Sequence, residues 1–339
     1  MRLITSVRLW VALLAMLGMA LGGLLYLANS RPDIQPHTHA TLTTASKASV
    51  RSLFLGTSTL VWTDGKTTWL VDGFLSRQPL WNVAFTPLDV DEALVDATLQ
   101  HALDQLNMPH RVAGIVVAHS HYDHAMDAPY IAKRYGGQVH GSESTWQIAL
   151  GQDLPPTQME VVHNAGVARL GDFEVKIRQT RHAPTGFTGG LNHQPLRLPA
   201  HALRFKEGLS YSFVVHHKSQ GDEPIALVQP SAGFLPGENR DLKVPVVFLG
   251  VGGLGRLGQD YIESYWQEMV TQTGARRVYL IHWDDFTKPV FSQGQPAPLV
   301  PMPALMDDMS AALPVLQGLA LRDGVQLEVH QAWETITFN

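Results

Sequence analysis

No cysteine occurs anywhere in the 339 residues. Disulfide frameworks, thiolate-ligated zinc, iron–sulfur clusters and thiol nucleophiles are therefore excluded. Charge is scarce as well. Charged side chains make up 16% of the chain and the net charge is −5, so no basic domain or stripe is available to hold nucleic acid. No Gly-x-Ser-x-Gly elbow is present, and a serine hydrolase of that type has no support. The carboxylates show no pairing that suggests a glycosidase. Against these deficits stand a 45% hydrophobic content, which excludes wholesale disorder, and a surplus of histidine, 16 residues in all. Imidazole is the side chain most often used for metal binding and proton transfer near neutral pH.

The N-terminus carries one long apolar run. Leu9–Ser30 contains no charged residue over 22 positions, with Arg2 and Arg8 before it and Arg31 and Asp33 after it. A helix needs about 20 apolar residues to cross a hydrocarbon core, and basic residues ahead of the run keep the short head cytoplasmic. Residues 1–30 are thus read as a membrane anchor or signal segment, with the remainder extracytoplasmic (periplasmic in a bacterium). Ala28 and Ser30 offer a processing site for the signal reading. The run exceeds the roughly 7–15 residues of a signal-peptide core, which favours an uncleaved anchor. Residues 31–49, rich in Pro, Thr, Ser and Ala, read as a flexible linker, and His37 and His39 within it as a solvated pair.

Residues 50–339 form the expected domain. Short strands are predicted at 52–55, 60–63 and 67–71, the last two joined by an Asp64-Gly65 turn. A helix follows over 91–106, then Val112–Ala118, a continuous apolar run expected of a strand buried on both faces. Helices near 126–135 and 143–150 flank a strand at 138–140. The second half repeats the order: strands near 159–163, 166–170, 173–181, 211–216, 225–229 and 246–249, a helix near 260–273, a strand at 277–281, a helix near 304–321 and a last strand near 326–330. Two sheets between helices satisfy this order in one α/β domain. Residues 183–203 are a long Gly- and Pro-containing loop, of a length that often covers a site.

Directly after the apolar run stands His119-Ser120-His121-Tyr122-Asp123-His124. Three imidazoles and a carboxylate this close would repel one another or waste hydrogen bonds unless a cation joins them, and neutral imidazole and carboxylate are good ligands for a divalent ion. The string resembles the metal-binding motif of the metallo-β-lactamase fold superfamily, and later segments fit the same pattern in order. Asp72 ends an early strand in Leu70-Val71-Asp72-Gly73, His182 stands in Thr180-Arg181-His182-Ala183-Pro184, and His282 ends Tyr279-Leu280-Ile281-His282-Trp283. The resemblance implies a four-layer αββα sandwich. It also implies one or two ions, Zn2+ or another divalent metal: the first held by His119, His121 and His182, the second by Asp123, His124 and His282, with Asp72 steadying ligands. Asp123 would orient or deprotonate water in a one-metal site.

One position departs from that pattern. Ser231, in Gln229-Pro230-Ser231-Ala232-Gly233, stands where a metal-bridging aspartate is expected, and a neutral hydroxyl is a poor ligand beside a carboxylate. Glu238 or Asp241 could compensate from the next loop. The resulting expectation is a hydrolase acting on an ester, lactone or phosphodiester of a small molecule; the alternative is a metal-binding protein of the same fold without turnover. Gly250-x-Gly252-x-x-Gly255 mimics a dinucleotide fingerprint, but the helix after it begins too late for its glycines to open it. Trp283-Asp284-Asp285-Phe286 is expected to shape the pocket or to pack beneath it.

Overall fold

The computed structural model describes residues 2–34, 50–184, 186 and 189–338. The chain opens with α1 (Arg2–Asn29), a single helix whose Trp10–Leu27 stretch has a mean hydropathy of 2.0 and none of its surface buried in the protein. Of the segment read as a linker, residues 31–34 lie against the domain, with Ile34 buried. Residues 35–49, including His37 and His39, lie outside the described residues.

The first half supplies β1 (Val50–Phe54), β2 (Leu60–Thr63), β3 (Thr68–Val71), α2 (Leu80–Phe85), α3 (Glu92–Gln105), β4 (Gly114–Val116), α4 (Tyr122–Ala125), α5 (Ala128–Tyr135), β5 (Gln138–Gly141), α6 (Glu143–Gly151) and β6 (Met159–Val161). The second supplies β7 (Ala165–Leu170), β8 (Phe173–Thr180), β9 (Ser210–His217), β10 (Pro224–Gln229), β11 (Val246–Gly250), α7 (Gln259–Trp266), β12 (Arg277–Ile281), the hairpin β13 (Phe291–Ser292) and β14 (Gln295–Pro296), α8 (Met309–Asp323), β15 (Gln326–Val329) and β16 (Thr335–Phe338).

Two seven-stranded mixed sheets result, ordered β16-β1-β2-β3-β4-β5-β6 and β15-β12-β11-β10-β9-β8-β7. Each is antiparallel where its half of the chain begins and parallel further on: β3 to β6 in one, β10 to β12 and β15 in the other. α5 and α6 cover the outer face of the first sheet, and α8 packs on the second. Between the sheets, Trp62 stacks on Trp69 at 5.5 Å and meets Phe248 edge-on at 5.7 Å, while Trp69 meets Phe173 at 5.7 Å. Strands covered on both faces explain the uninterrupted burial of β1 to β4. This is the four-layer αββα sandwich expected from the sequence.

Several elements differ from expectation: α2 and the β13–β14 hairpin are additional, and the helix near 260–273 continues past Trp266 as a π-helical turn. The helix expected near 126–135 is α5, and a separate turn, α4, precedes it; Pro129 in the first turn of α5 has no N–H to continue the hydrogen-bond ladder from α4. The last helix starts at Met309 rather than near 304. Asp308 caps it, and Ala304 and Leu305 donate their N–H groups to Ser30 and Leu27 at the end of α1. β16, absent from the sequence reading, completes the first sheet by pairing with β1.

Candidate metal centre

All the residues singled out by the motif stand just beyond the carboxyl ends of strands, the usual location of sites in layered α/β folds. Asp72 follows β3, residues 119–124 follow β4, His182 follows β8, Ser231 follows β10 and His282 follows β12. The two sheets meet there: Ala118 gives its N–H to Asp72 Oδ1 at 2.7 Å and receives the N–H of Tyr211 from β9. His121 caps α4, and that single turn carries Asp123 and His124 back toward the strand end.

The side chains gather into two groups. His119, His121 and His182 offer one ligand atom each, all within 4.8 Å of one another; Asp123, His124 and His282 do the same. The groups adjoin, with the His119 and His124 rings 3.9 Å apart at their centres. His282 Nε2 lies 3.4 Å and His124 Nε2 3.6 Å from Asp123 Oδ2.

Hydrogen bonds set the ring tautomers. His124 Nδ1 lies 2.8 Å from Asp72 Oδ2, which also accepts from Ser58 Oγ at 2.5 Å. The carboxylate therefore keeps the proton on Nδ1 and leaves a lone pair on Nε2. That Nε2 is buried and has no hydrogen-bond partner among the described residues, and the same holds for His119 Nδ1. His182 Nδ1 donates to the Ala183 carbonyl at 2.6 Å, again freeing Nε2. Buried imidazole nitrogens without partners are costly unless a cation takes their lone pairs, so the donor set fits a divalent metal.

The electrostatics agree. Burial, reinforced by the neighbouring imidazoles, pushes the His119 pKa well below its usual range. Burial first and His121 second bring His182 to about 3, so both rings stay neutral, as ligands must. Burial opposes ionisation of Asp123, but His124 and His282 outweigh it and hold its carboxyl well below the usual range. For His124, burial is likewise overcome, by Asp72 and Asp123, and its pKa is raised.

Ser231 does not join either group. Its Oγ accepts the N–H of Ala183 at 3.0 Å, so it fastens the loop that bears His182. Glu238 also stays outside both, bonded to Thr180 Oγ1 and Leu235 N and raised to about 7 by burial. Gly252 lies under the His282 ring, where a Cβ would come within 2.6 Å of Nδ1. A Cβ on Gly255 would strike the Asp308 carbonyl at 1.9 Å. Close packing thus accounts for these glycines without a dinucleotide.

In the Trp283–Phe286 stretch, Trp283 packs, with its Nε1 donating to the His330 carbonyl. Phe286 borders the site, 5.9 Å from the His282 ring and 6.2 Å from Tyr122. His193 is exposed in the loop. A third cluster, Asp64, Asp172 and His217, joins turns of the two sheets. There His217 Nδ1 accepts the Ser219 N–H, so its Nε2 faces Asp64 as a donor, and Lys218 neutralises Asp172.

Several supporting groups escaped the sequence reading. Ser58 reaches Asp72, while Arg77 forms a fully buried 2.6 Å ion pair with Asp284, which also accepts the N–H of Thr57. The Thr57 carbonyl in turn takes the N–H of His282 at 2.5 Å. Buried Asp307 accepts the N–H of Gly253 close enough to His282 to feel its charge. The only local signal was the polar Gly56-Thr57-Ser58-Thr59 turn between two apolar strands.

Sheet order, paired outer helices and this strand-end position together define a metallo-β-lactamase fold. The solved structures agree. The metallo-β-lactamase fold protein YhfI from Bacillus subtilis superposes with a TM-score of 0.50 at 10% identity, over 86% of this chain and 100% of the other. A possible metal-dependent hydrolase from Veillonella parvula superposes with a TM-score of 0.52 at 14% identity, over 86% and 100%. No protein-family model matches the chain, and no curated protein matches it in sequence.

Proposed function

We propose that the protein is a membrane-anchored, metal-dependent hydrolase of a small-molecule substrate. His119, His121 and His182 hold one divalent ion, and Asp123, His124 and His282 a second, more weakly held one. The observation that carries this reading is the gathering of His119, His121 and His182 and of Asp123, His124 and His282 into two adjoining groups, with the buried Nε2 of His124 left unpartnered and its lone pair freed by Asp72. A divalent ion there, zinc being the best match to the donors, lowers the pKa of water and polarises the attacked carbonyl or phosphoryl oxygen.

The chain's own groups do the rest. Where only the first ion is bound, Asp123, held ionised and 3.4 Å from His282, is placed to orient water or accept its proton. Asp72 keeps His124 in the ligating tautomer. Phe286 and Tyr122 give the site an apolar wall that excludes bulk water. An ester, lactone or phosphodiester matches this chemistry.

Ser231 favours a second reading, a metal-binding protein without turnover, because its hydroxyl is spent on Ala183 rather than on a second ion. Metal analysis of the full-length protein in detergent, with a panel of ester, lactone and phosphodiester substrates, separates the two. Turnover that survives complete chelation, or the His121→Ala substitution, overturns the hydrolase reading. For the membrane, α1 is long and apolar enough to span, and Leu27 and Ser30 are bonded to Leu305 and Ala304. These contacts seat the end of α1 on the domain; the length of the apolar run favours an uncleaved anchor, and Arg2 and Arg8 ahead of it favour a domain outside the cytoplasm.

A further inference from the structure

α2 is unusual for a surface in water. Its six residues include none that is buried, and Trp81 and Phe85, four apart on one face, are 64% and 70% exposed with their rings stacked at 5.8 Å. No charged residue occurs from Gln78 to Leu88. Single exposed apolar residues are ordinary, but a charge-free helix that exposes a stacked aromatic pair marks a contact surface.

Its connections indicate what covers it. On one side, Arg77 gives hydrogen bonds to the Asp284 carboxylate and the Asp285 carbonyl, and the Asp285 carboxylate binds Arg31, two residues past the end of α1, at 2.7 Å. The last turn of α1 is bonded to Ala304 and Leu305, next to exposed Met306. On the other side, Leu88 pairs with Ala200, and Leu203, 64% exposed, follows in the same loop. Between Gly189 and Lys206 that loop carries Arg197, Arg204 and Lys206 and no acid. Exposed apolar residues thus stand at the exit of the apolar helix (Met306), on α2 (Trp81, Phe85) and in the loop over the site (Leu203), with Arg197, Arg204 and Lys206 in that loop and the exposed acids Asp89, Asp91 and Glu92 just after α2; the rim residue Phe286 adjoins Asp285.

We propose that Trp81, Phe85 and Leu203 form a second membrane contact, seated in the bilayer that α1 enters. The inference rests on the reading of α1 as an uncleaved anchor. Aromatic side chains favour the headgroup level, an apolar face settles at the boundary of headgroups and acyl chains, and basic neighbours are drawn to anionic lipid. One spanning helix fixes only the distance of the domain from the membrane. Arg31–Asp285 and the α2 face together fix its orientation, and hold the rim of the metal centre at the lipid surface.

The cysteine-free chain makes the test direct. Trp81→Cys, Phe85→Cys, Leu203→Cys, Leu17→Cys in α1 and Leu321→Cys, 86% exposed on α8, are each nitroxide-labelled in the full chain. The proteins are reconstituted into nanodiscs of mixed phosphatidylglycerol and phosphatidylcholine. Collision with oxygen is compared with collision with a water-soluble nickel chelate. The expected oxygen-to-nickel ratio at positions 81, 85 and 203 exceeds that at 321 several-fold and approaches that at 17. Lipid contact at 17 with water at 81 and 85 overturns the proposal alone, whereas water at 17 overturns the anchor as well. Spin–spin broadening between labels at 81 identifies a second copy as the occupant and also overturns it.

Discussion

Replacing Asp72 with Asn isolates one charge at the metal centre with little other disturbance. Asp72 is fully buried at φ +59°, a backbone conformation that Asn tolerates as well as Asp, so no strain is added. Its carboxylate accepts from Ala118 N–H on one oxygen and from Ser58 and His124 Nδ1 on the other. An amide can accept on only one side. With its oxygen toward Ala118, its NH2 meets His124 Nδ1, which must then surrender its proton to Nε2, the nitrogen needed for the metal. Turned the other way, the NH2 opposes the Ala118 N–H, and a buried donor left unsatisfied costs about 1–3 kcal/mol. At 1.4 kcal/mol per decade this is roughly 5–150-fold in affinity, in line with the roughly 10–100-fold typical of groups that orient metal ligands. Competition titration of the full-length variant against a chromophoric chelator should show the Asp123/His124/His282 site weakened by about that factor. The His119/His121/His182 site should change less. A variant that remains folded and binds both ions as the parent does refutes the tautomer argument.

Three further outcomes follow from the packing. Ser231→Ala removes the acceptor of the buried Ala183 N–H; a loss of about 1–3 kcal/mol in thermal or denaturant unfolding is expected, with weaker metal binding at the His182 group, and an unchanged midpoint counts against it. Arg77→Met leaves Asp284 as an uncompensated buried charge and should destabilise by about 3–5 kcal/mol; a loss below about 1 kcal/mol contradicts a structural role for the pair. Asp127 is raised by burial from 3.8 to about 6. Between those pH values the native state keeps a proton that the unfolded state releases, so this contribution to stability is complete below pH 3.8 and lost as pH rises through 6. The shift is worth about 3 kcal/mol at 1.36 kcal/mol per unit. Asp127→Asn should remove that dependence, and unfolding curves of parent and variant that stay parallel from pH 4 to 7 refute it.

Local sequence determined more of this protein than its length suggests. A buried strand has to be apolar on both faces, so the run before His119 announced itself, and the ligand-type residues crowded into positions 119–124 needed no partner elsewhere to be noticed. His182 and His282 were legible only through the family resemblance, each standing at the end of a predicted strand in the order it implies. Asp127, by contrast, is committed to backbone N–H groups about fifty positions earlier, and residues 335–338 become β16 only by pairing with β1. The Ser58–Asp72–His124 chain, the Arg77–Asp284 pair and the change of Ser231 from an expected metal neighbour to a clamp on Ala183 are likewise contacts between separate loops, the Arg77–Asp284 pair joining the two sheets. Periodicity and motif spacing record which face a residue presents and how the backbone turns. Which nitrogen keeps its proton, and which hydroxyl is already engaged, depends on groups that only the closed sandwich brings within hydrogen-bonding distance, and the tertiary structure alone decided them.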